Sequence, residues 1–202
     1  MGKSRVHGLV AIMEKDELFR RIFHMTAIVY LLYYLLPEEL VPGFYKWYGV
    51  VIIVFITLIV EGMRIKRGAL FFGLRKYEKR RLSAFAWFAI GMGIALLWFK
   101  MVFVVPVVIG MAIIDPLIGE IKRKKEELYP FLPSLIYGLI VFLCLLFLSR
   151  RPIHLKILFT VVATVSAISA EHYKSKYIDD DFLMIVIPLF ALTAFDYLLS
   201  FF

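Results

Sequence analysis

An all-α, polytopic integral membrane protein of about seven transmembrane helices follows from three features of this 202-residue chain. Hydrophobic residues make up 62% of it, well above the roughly 45–50% of a soluble domain. They come in long blocks and not at amphipathic spacing, as bilayer crossings of about 20 residues require. The basic residues, finally, are sorted between alternate gaps, which sets an orientation.

The spans are expected at about 20–36, 47–62, 82–99, 101–114, 131–149, 153–169 and 182–202. The first opens at Arg20-Arg21 and, with no small-residue cleavage site after it, is expected to act as its own targeting signal. Glu61, Gly62 and Arg64 close the second, and a basic loop leads to the third. The fourth is short, and Asp115-Pro116 is expected to end it, because proline lacks an N–H and clashes with the preceding turn. The fifth and sixth flank a gap holding Arg150 and Arg151, and the last starts at Asp179-Asp180-Asp181.

Of the 24 Lys and Arg residues, 19 fall in every second gap: five in the N-terminal segment up to Arg21, eight between 64 and 81, four at Lys122 to Lys125, and Lys174 with Lys176. The positive-inside rule then places the N-terminus in the cytoplasm and the C-terminus outside, so the protein is expected in the cell membrane with its loaded face cytoplasmic. Residues 1–202 read as a single transmembrane domain without repeats or linkers. Within it, 63–81 is a basic cytoplasmic loop long enough for an amphipathic helix, either anchored on lipid headgroups or forming a lid over a phosphate site. The one cysteine, Cys144, lies mid-span, which excludes a disulfide framework and a Cys-based metal site. A net charge of +8 suits the anionic inner leaflet and an anionic substrate equally.

Potentially reactive residues gather in the same basic gaps. Arg20, Arg21 and His24 share a helical face at spacings of three and four residues, and forked guanidiniums match phosphate oxygens. An ionisable group one turn deeper, as His24 is, usually faces an interior cavity. Glu61 and Arg64 either neutralise one another or orient Arg64 towards a triphosphate. Asp115, Gly119, Glu120 and the run Lys122-Arg123-Lys124-Lys125 combine a carboxylate, a place for close backbone approach and phosphate neutralisation. Glu171, His172 and the Asp179–Asp181 triplet are oxygen-rich and suit Mg²⁺, which takes one or two carboxylates plus substrate phosphates. Asp196, in the last span near the opposite side, reads as an interfacial residue.

In this order the residues resemble a family. R-[RK]-x-x-H at the first span, E-x-x-R after the second, an Asp followed by Gly in the fourth loop, then Glu and I-D-D-[DN]-x-x-x-x-x-P at the last span are similar to the CTP-dependent polyprenol kinases. That group includes dolichol kinase, phytol kinase and a CTP-dependent diacylglycerol kinase, and is related to the CDP-lipid synthases. The matching residues are Arg20, Arg21, His24, Glu61, Arg64, Asp115, Gly119, Glu171, Asp179, Asp180 and Pro188, from about residue 17 to 190. Ile114 and Pro116 flank Asp115 where Gly-Asp-Thr is usual, Arg21 replaces Lys, and Asp181 replaces Asn.

The resemblance implies transfer of the γ-phosphoryl of CTP to the hydroxyl of a polyprenol, dolichol-like or other isoprenoid lipid alcohol. His24, Asp115 and Asp180 are then the expected catalytic residues. Arg20, Arg21, Arg64, Gly119, Lys122 and Arg123 would bind the nucleotide, and Asp115, Glu171, Asp179 and Asp180 would hold Mg²⁺. The chain has no P-loop or kinase Gly-rich loop. A cytidylyltransferase making a CDP-lipid would use the same groups. A transporter would instead carry ionisable residues near the midplane and on both sides. No nucleic-acid partner is expected, and the oligomeric state stays open.

Overall fold

A computed structural model describes residues 22, 24–71, 74–173, 175 and 177–201, without the side chains at 76 and 77. Arg20 and Arg21 therefore lie outside the described residues. Among the described residues seven helices run in order: α1 (His24–Leu35), α2 (Lys46–Arg67), α3 (Ala84–Trp98), α4 (Met101–Lys124), α5 (Phe131–Leu148), α6 (Ile153–His172) and α7 (Asp180–Leu199). Five of these, α2 and α4 to α7, are long and apolar enough to cross a membrane, while α1 and α3 are shorter apolar helices. The described residues thus form a predominantly helical protein of membrane-embedded character. A small hairpin, β1 (Glu39–Val41) with β2 (Phe44–Tyr45), links α1 to α2. It turns at Gly43, whose φ of 80° only glycine adopts without strain and whose N–H donates to Glu39 Oε1 at 2.8 Å.

The fourth span departs most from expectation. Pro116 does not end it: α4 continues through both Pro106 and Pro116 to Lys124. Each proline removes one backbone hydrogen bond, a loss that helices flanked by other helices can absorb. Here Pro106 is itself buried, and Val104, Val107, Val108 and Met111 around it are fully inaccessible. Asp115 and Gly119 consequently sit one turn apart on a continuous helix wall, not in a loop.

Helix α4 forms the centre and packs on α5, α7 and α1, while α7 also lies against α3 and α6. Small residues permit the close approaches. A side chain at Gly110 would stand 2.5 Å from the buried Tyr137 ring of α5, and one at Gly93 would stand 2.7 Å from Val54 of α2. Helix α2 leans mainly on α3 and leaves Val51, Ile52, Ile53 and Phe55 exposed, a surface that bilayer lipid would cover.

The two ends of the bundle differ chemically. At one end Asp196 of α7, only 7% exposed, accepts from Lys100 Nζ at 2.9 Å and from Arg151 Nη2. Lys100 precedes α4 and Arg151 lies between α5 and α6, so a single carboxylate ties two links to α7. The opposite, basic end carries the remaining charged networks.

The segment 63–81 is not one amphipathic helix. Helix α2 runs on to Arg67 and stops at Gly68 in the left-handed conformation (φ 60°). A single 3₁₀ turn, Lys76–Arg80, then leads to α3. What folds this segment back is Arg64, which is 2% exposed. Its guanidinium forms a two-pronged pair with Glu61 at 2.8 Å and donates to the carbonyls of Ala69 (3.2 Å), Glu78 (2.9 Å) and Arg81 (2.6 Å).

Candidate active site

Three helices bring their acidic or imidazole groups together at the basic end. The triplet is placed by helix chemistry: Asp179 is the N-cap of α7 and accepts from the N–H of Asp181 at 3.3 Å, where carboxylates also meet the positive end of the helix dipole. That accounts for acidic residues at this position but not for the direction of Asp181, which is 4% exposed and points inward. It meets His24 of α1, whose Nδ1 lies 3.6 Å from Asp181 Oδ1 while its Nε2 lies 3.3 Å from Asp115 Oδ2 of α4. One imidazole thus bridges two helices.

These groups line a small cavity together with Asp179, Asp180, Arg75 and Glu78. Glu78 is a wall-former: its carboxylate accepts from the backbone N–H of Arg75 and, at 2.8 Å, from that of Ala84 at the start of α3. Burial and the neighbouring Asp180 carboxylate push Asp179 up to about 7. A set of carboxylates this close repels itself unless protons or cations intervene. Donor atoms of Asp179, Asp180 and Asp181 all lie within 4.8 Å of one another, as do those of His24, Asp115 and Asp181. Oxygen donors in such number, with one imidazole and no thiolate, fit a hard divalent cation such as Mg²⁺.

Several expected site residues stand elsewhere. Arg64 does not face the cavity, because its donors are turned onto Glu61 and three backbone carbonyls; the residue expected to bind nucleotide holds the 63–81 segment in place. Glu171, expected as a metal ligand, does not line the cavity either. Its two oxygens are taken by Lys122 Nζ and Tyr129 Oη, both at 2.8 Å, which links α4, the α4–α5 connection and α6. Burial and this carboxylate together hold the Tyr129 phenol above its ordinary range. Lys122, expected at the nucleotide, thus faces Glu171 and the Tyr129 ring. Arg123 pairs with Glu120 at 2.5 Å on the exposed side of α4, and Gly119 lies on an open face of that helix with nothing within 4 Å of an added Cβ.

Against family models, curated proteins and solved structures, the chain finds no match.

Of the expected site residues, the fold brings His24, Asp115, Asp179 and Asp180 together at one cavity. Asp181, which the oxygen-rich triplet includes and the family resemblance does not match, lines it as well. Two further polar lining residues, Arg75 and Glu78, are not among the expected site residues. Arg75 and Glu78 sat within the basic loop, and no spacing in the sequence ties them to α7.

Proposed function

We propose that this chain is a CTP-dependent membrane lipid kinase, transferring the γ-phosphoryl of CTP to the hydroxyl of an isoprenoid or related lipid alcohol at the cytoplasmic face of a cell membrane. The observation that carries this reading is the convergence of His24, Asp115 and the Asp179–Asp181 triplet, from three separate helices, on one cavity at the basic end of the bundle. Phosphoryl transfer asks little covalent chemistry of a protein and much alignment and charge neutralisation.

When bound, Mg²⁺ would supply the positive charge that an acidic pocket needs to accept a triphosphate, held by Asp115, Asp179, Asp180 and Asp181. The protein's own groups position the acceptor. The alcohol oxygen attacks the γ-phosphorus, the bond from that phosphorus to the β,γ-bridging oxygen breaks, and CDP leaves. The alcohol proton passes to the carboxylate of Asp180 in the cavity wall, while His24, with a carboxylate against each ring nitrogen, positions Asp115 and Asp181. A lipid acceptor is favoured by a second feature. An apolar groove between α2 and α3, with Ile56, Thr57 and Val60 on one side, shares Leu74 and Phe85 with the acidic cavity. A chain lying there would come from the bilayer side while the nucleotide came from water.

The test is to incubate purified protein with Mg²⁺ and CTP labelled at either the γ or the α phosphate, offering prenols, diradylglycerols and phosphatidic acid in turn. Label from the γ position in lipid is the expected result. Label from the α position would make the chain a cytidylyltransferase, and no label in any lipid would remove both activities.

A further inference from the structure

A second, more open cavity adjoins the acidic one, and the two share Glu78 and Asp179 in their walls. The chemistry of its other walls is different: Trp87, Tyr177 and Arg81 present two aromatic rings and a guanidinium. These walls are fixed by contacts within the protein. Trp87 is braced edge-on by Phe182, ring centroids 5.2 Å apart. The turn carrying Tyr177 is closed by Ser175, whose Oγ accepts from the N–H groups of Tyr177 at 3.1 Å and Ile178 at 3.2 Å. Arg81 places its guanidinium 5.8 Å from the centre of the Tyr177 ring, and its backbone is held by the buried Arg64 through the 2.6 Å bond to its carbonyl.

Tyr177 is 76% exposed, so core formation does not explain its position. Tyrosine and tryptophan do line membrane interfaces in general. A belt residue, however, has no need of a serine-closed turn, a cation on its face or a wall shared with a carboxylate cluster. A flat heteroaromatic ring makes use of all of these: it stacks on aromatic faces whatever its identity, and arginine adds attraction over the same π surface.

We propose that this second cavity binds the base and ribose of a nucleotide whose phosphates reach across Glu78 and Asp179 into the acidic cavity. The inference rests on the phosphotransfer reading above and adds to it where the nucleoside sits. In this arrangement Arg64 serves nucleotide binding at one remove, by fixing Arg81.

The experiment compares equilibrium binding of CTP and of inorganic triphosphate, each with Mg²⁺, to the full chain and to its Tyr177→Ala and Tyr177→Phe variants. Tyr177→Ala should weaken CTP binding on the order of 5-fold or more, the lower end of what losing one base-stacking ring costs. It should leave triphosphate binding unchanged, and Tyr177→Phe should keep the affinity of the unaltered protein. Trp87→Leu, checked for an unaltered unfolding temperature, should show the same selective loss. CTP affinity indifferent to both Tyr177→Ala and Trp87→Leu would overturn this assignment alone and leave the kinase reading standing. Failure of the unaltered chain to bind either triphosphate would overturn both.

Discussion

At the scale of single residues, His24 is constrained more than its chemistry alone requires. Both ring nitrogens face carboxylates from different helices, at 3.3 and 3.6 Å, so the ring cannot swing without losing one of them. A ring held in this way positions two carboxylates of the cluster, and His24→Ala should slow single-turnover phosphoryl transfer by about 10–100-fold, the usual cost of losing an outer partner of such a site. CTP affinity, measured on the same protein by equilibrium binding, should change little; a variant with weak binding and an intact transfer step would move His24 into the nucleotide site. Arg64 makes the opposite prediction. Removing it strands the buried Glu61 and frees three carbonyls, so Arg64→Ala should cost about 3–5 kcal/mol of stability, read as a lowered thermal midpoint in detergent. A normal midpoint with impaired triphosphate binding would return Arg64 to the ligand. The two residues also mark how far a sequence can be read. His24 was legible because an imidazole one turn below an arginine pair is unusual at membrane depth. Arg64 was not, because an i,i+3 pair with Glu61 looks the same at a surface as in a core, and its deciding partners lie 14 and 17 residues further on.

At the scale of helices, the apolar blocks mark where most of the described helices lie, five of them long enough to cross a membrane, but α4 runs ten residues past the expected end at 114. The failure at α4 came from treating Pro116 as a stop. In water it would have been one more often, but a helix surrounded by helices tolerates the missing hydrogen bond. The same helix offers a paired test of what its glycines do. Gly110→Ala drives a methyl to 2.5 Å from the fully buried Tyr137 ring, and such overpacking costs about 1–3 kcal/mol. Gly119→Ala meets nothing within 4 Å and should leave the thermal midpoint unchanged or raise it by the equivalent of about 0.5–1 kcal/mol, the ordinary helix preference for alanine. If activity nevertheless falls in Gly119→Ala, the open face there is used by a ligand. If both variants melt alike, the α4–α5 contact is looser than described.

At the scale of the whole molecule, the acidic cavity ties stability to pH and to cations. Asp179, raised to about 7 in the fold by burial and by Asp180, titrates near 3.9 in an unfolded chain. Between these values the folded state holds the extra proton, so stability from this group is present at low pH and is lost as pH rises towards about 7. Cation-free protein should therefore melt at lower temperature at pH 7.5 than at pH 5, and millimolar Mg²⁺ should raise the midpoint most at the higher pH. A midpoint independent of both Mg²⁺ and pH would mean that the carboxylates do not share a site. The bond of Asp196 to Lys100 and Arg151 bears on the same cavity from the far surface. Fifteen residues separate Asp196 from Asp181 along α7, about 22 Å of helix. A helix clasped at one end does not slide along its axis, so the depth at which the carboxylate triplet sits is registered to the opposite end of the bundle. Mutations at Lys100 or Arg151, remote from any reacting atom, would then act as a focus adjustment on the chemistry at the other end.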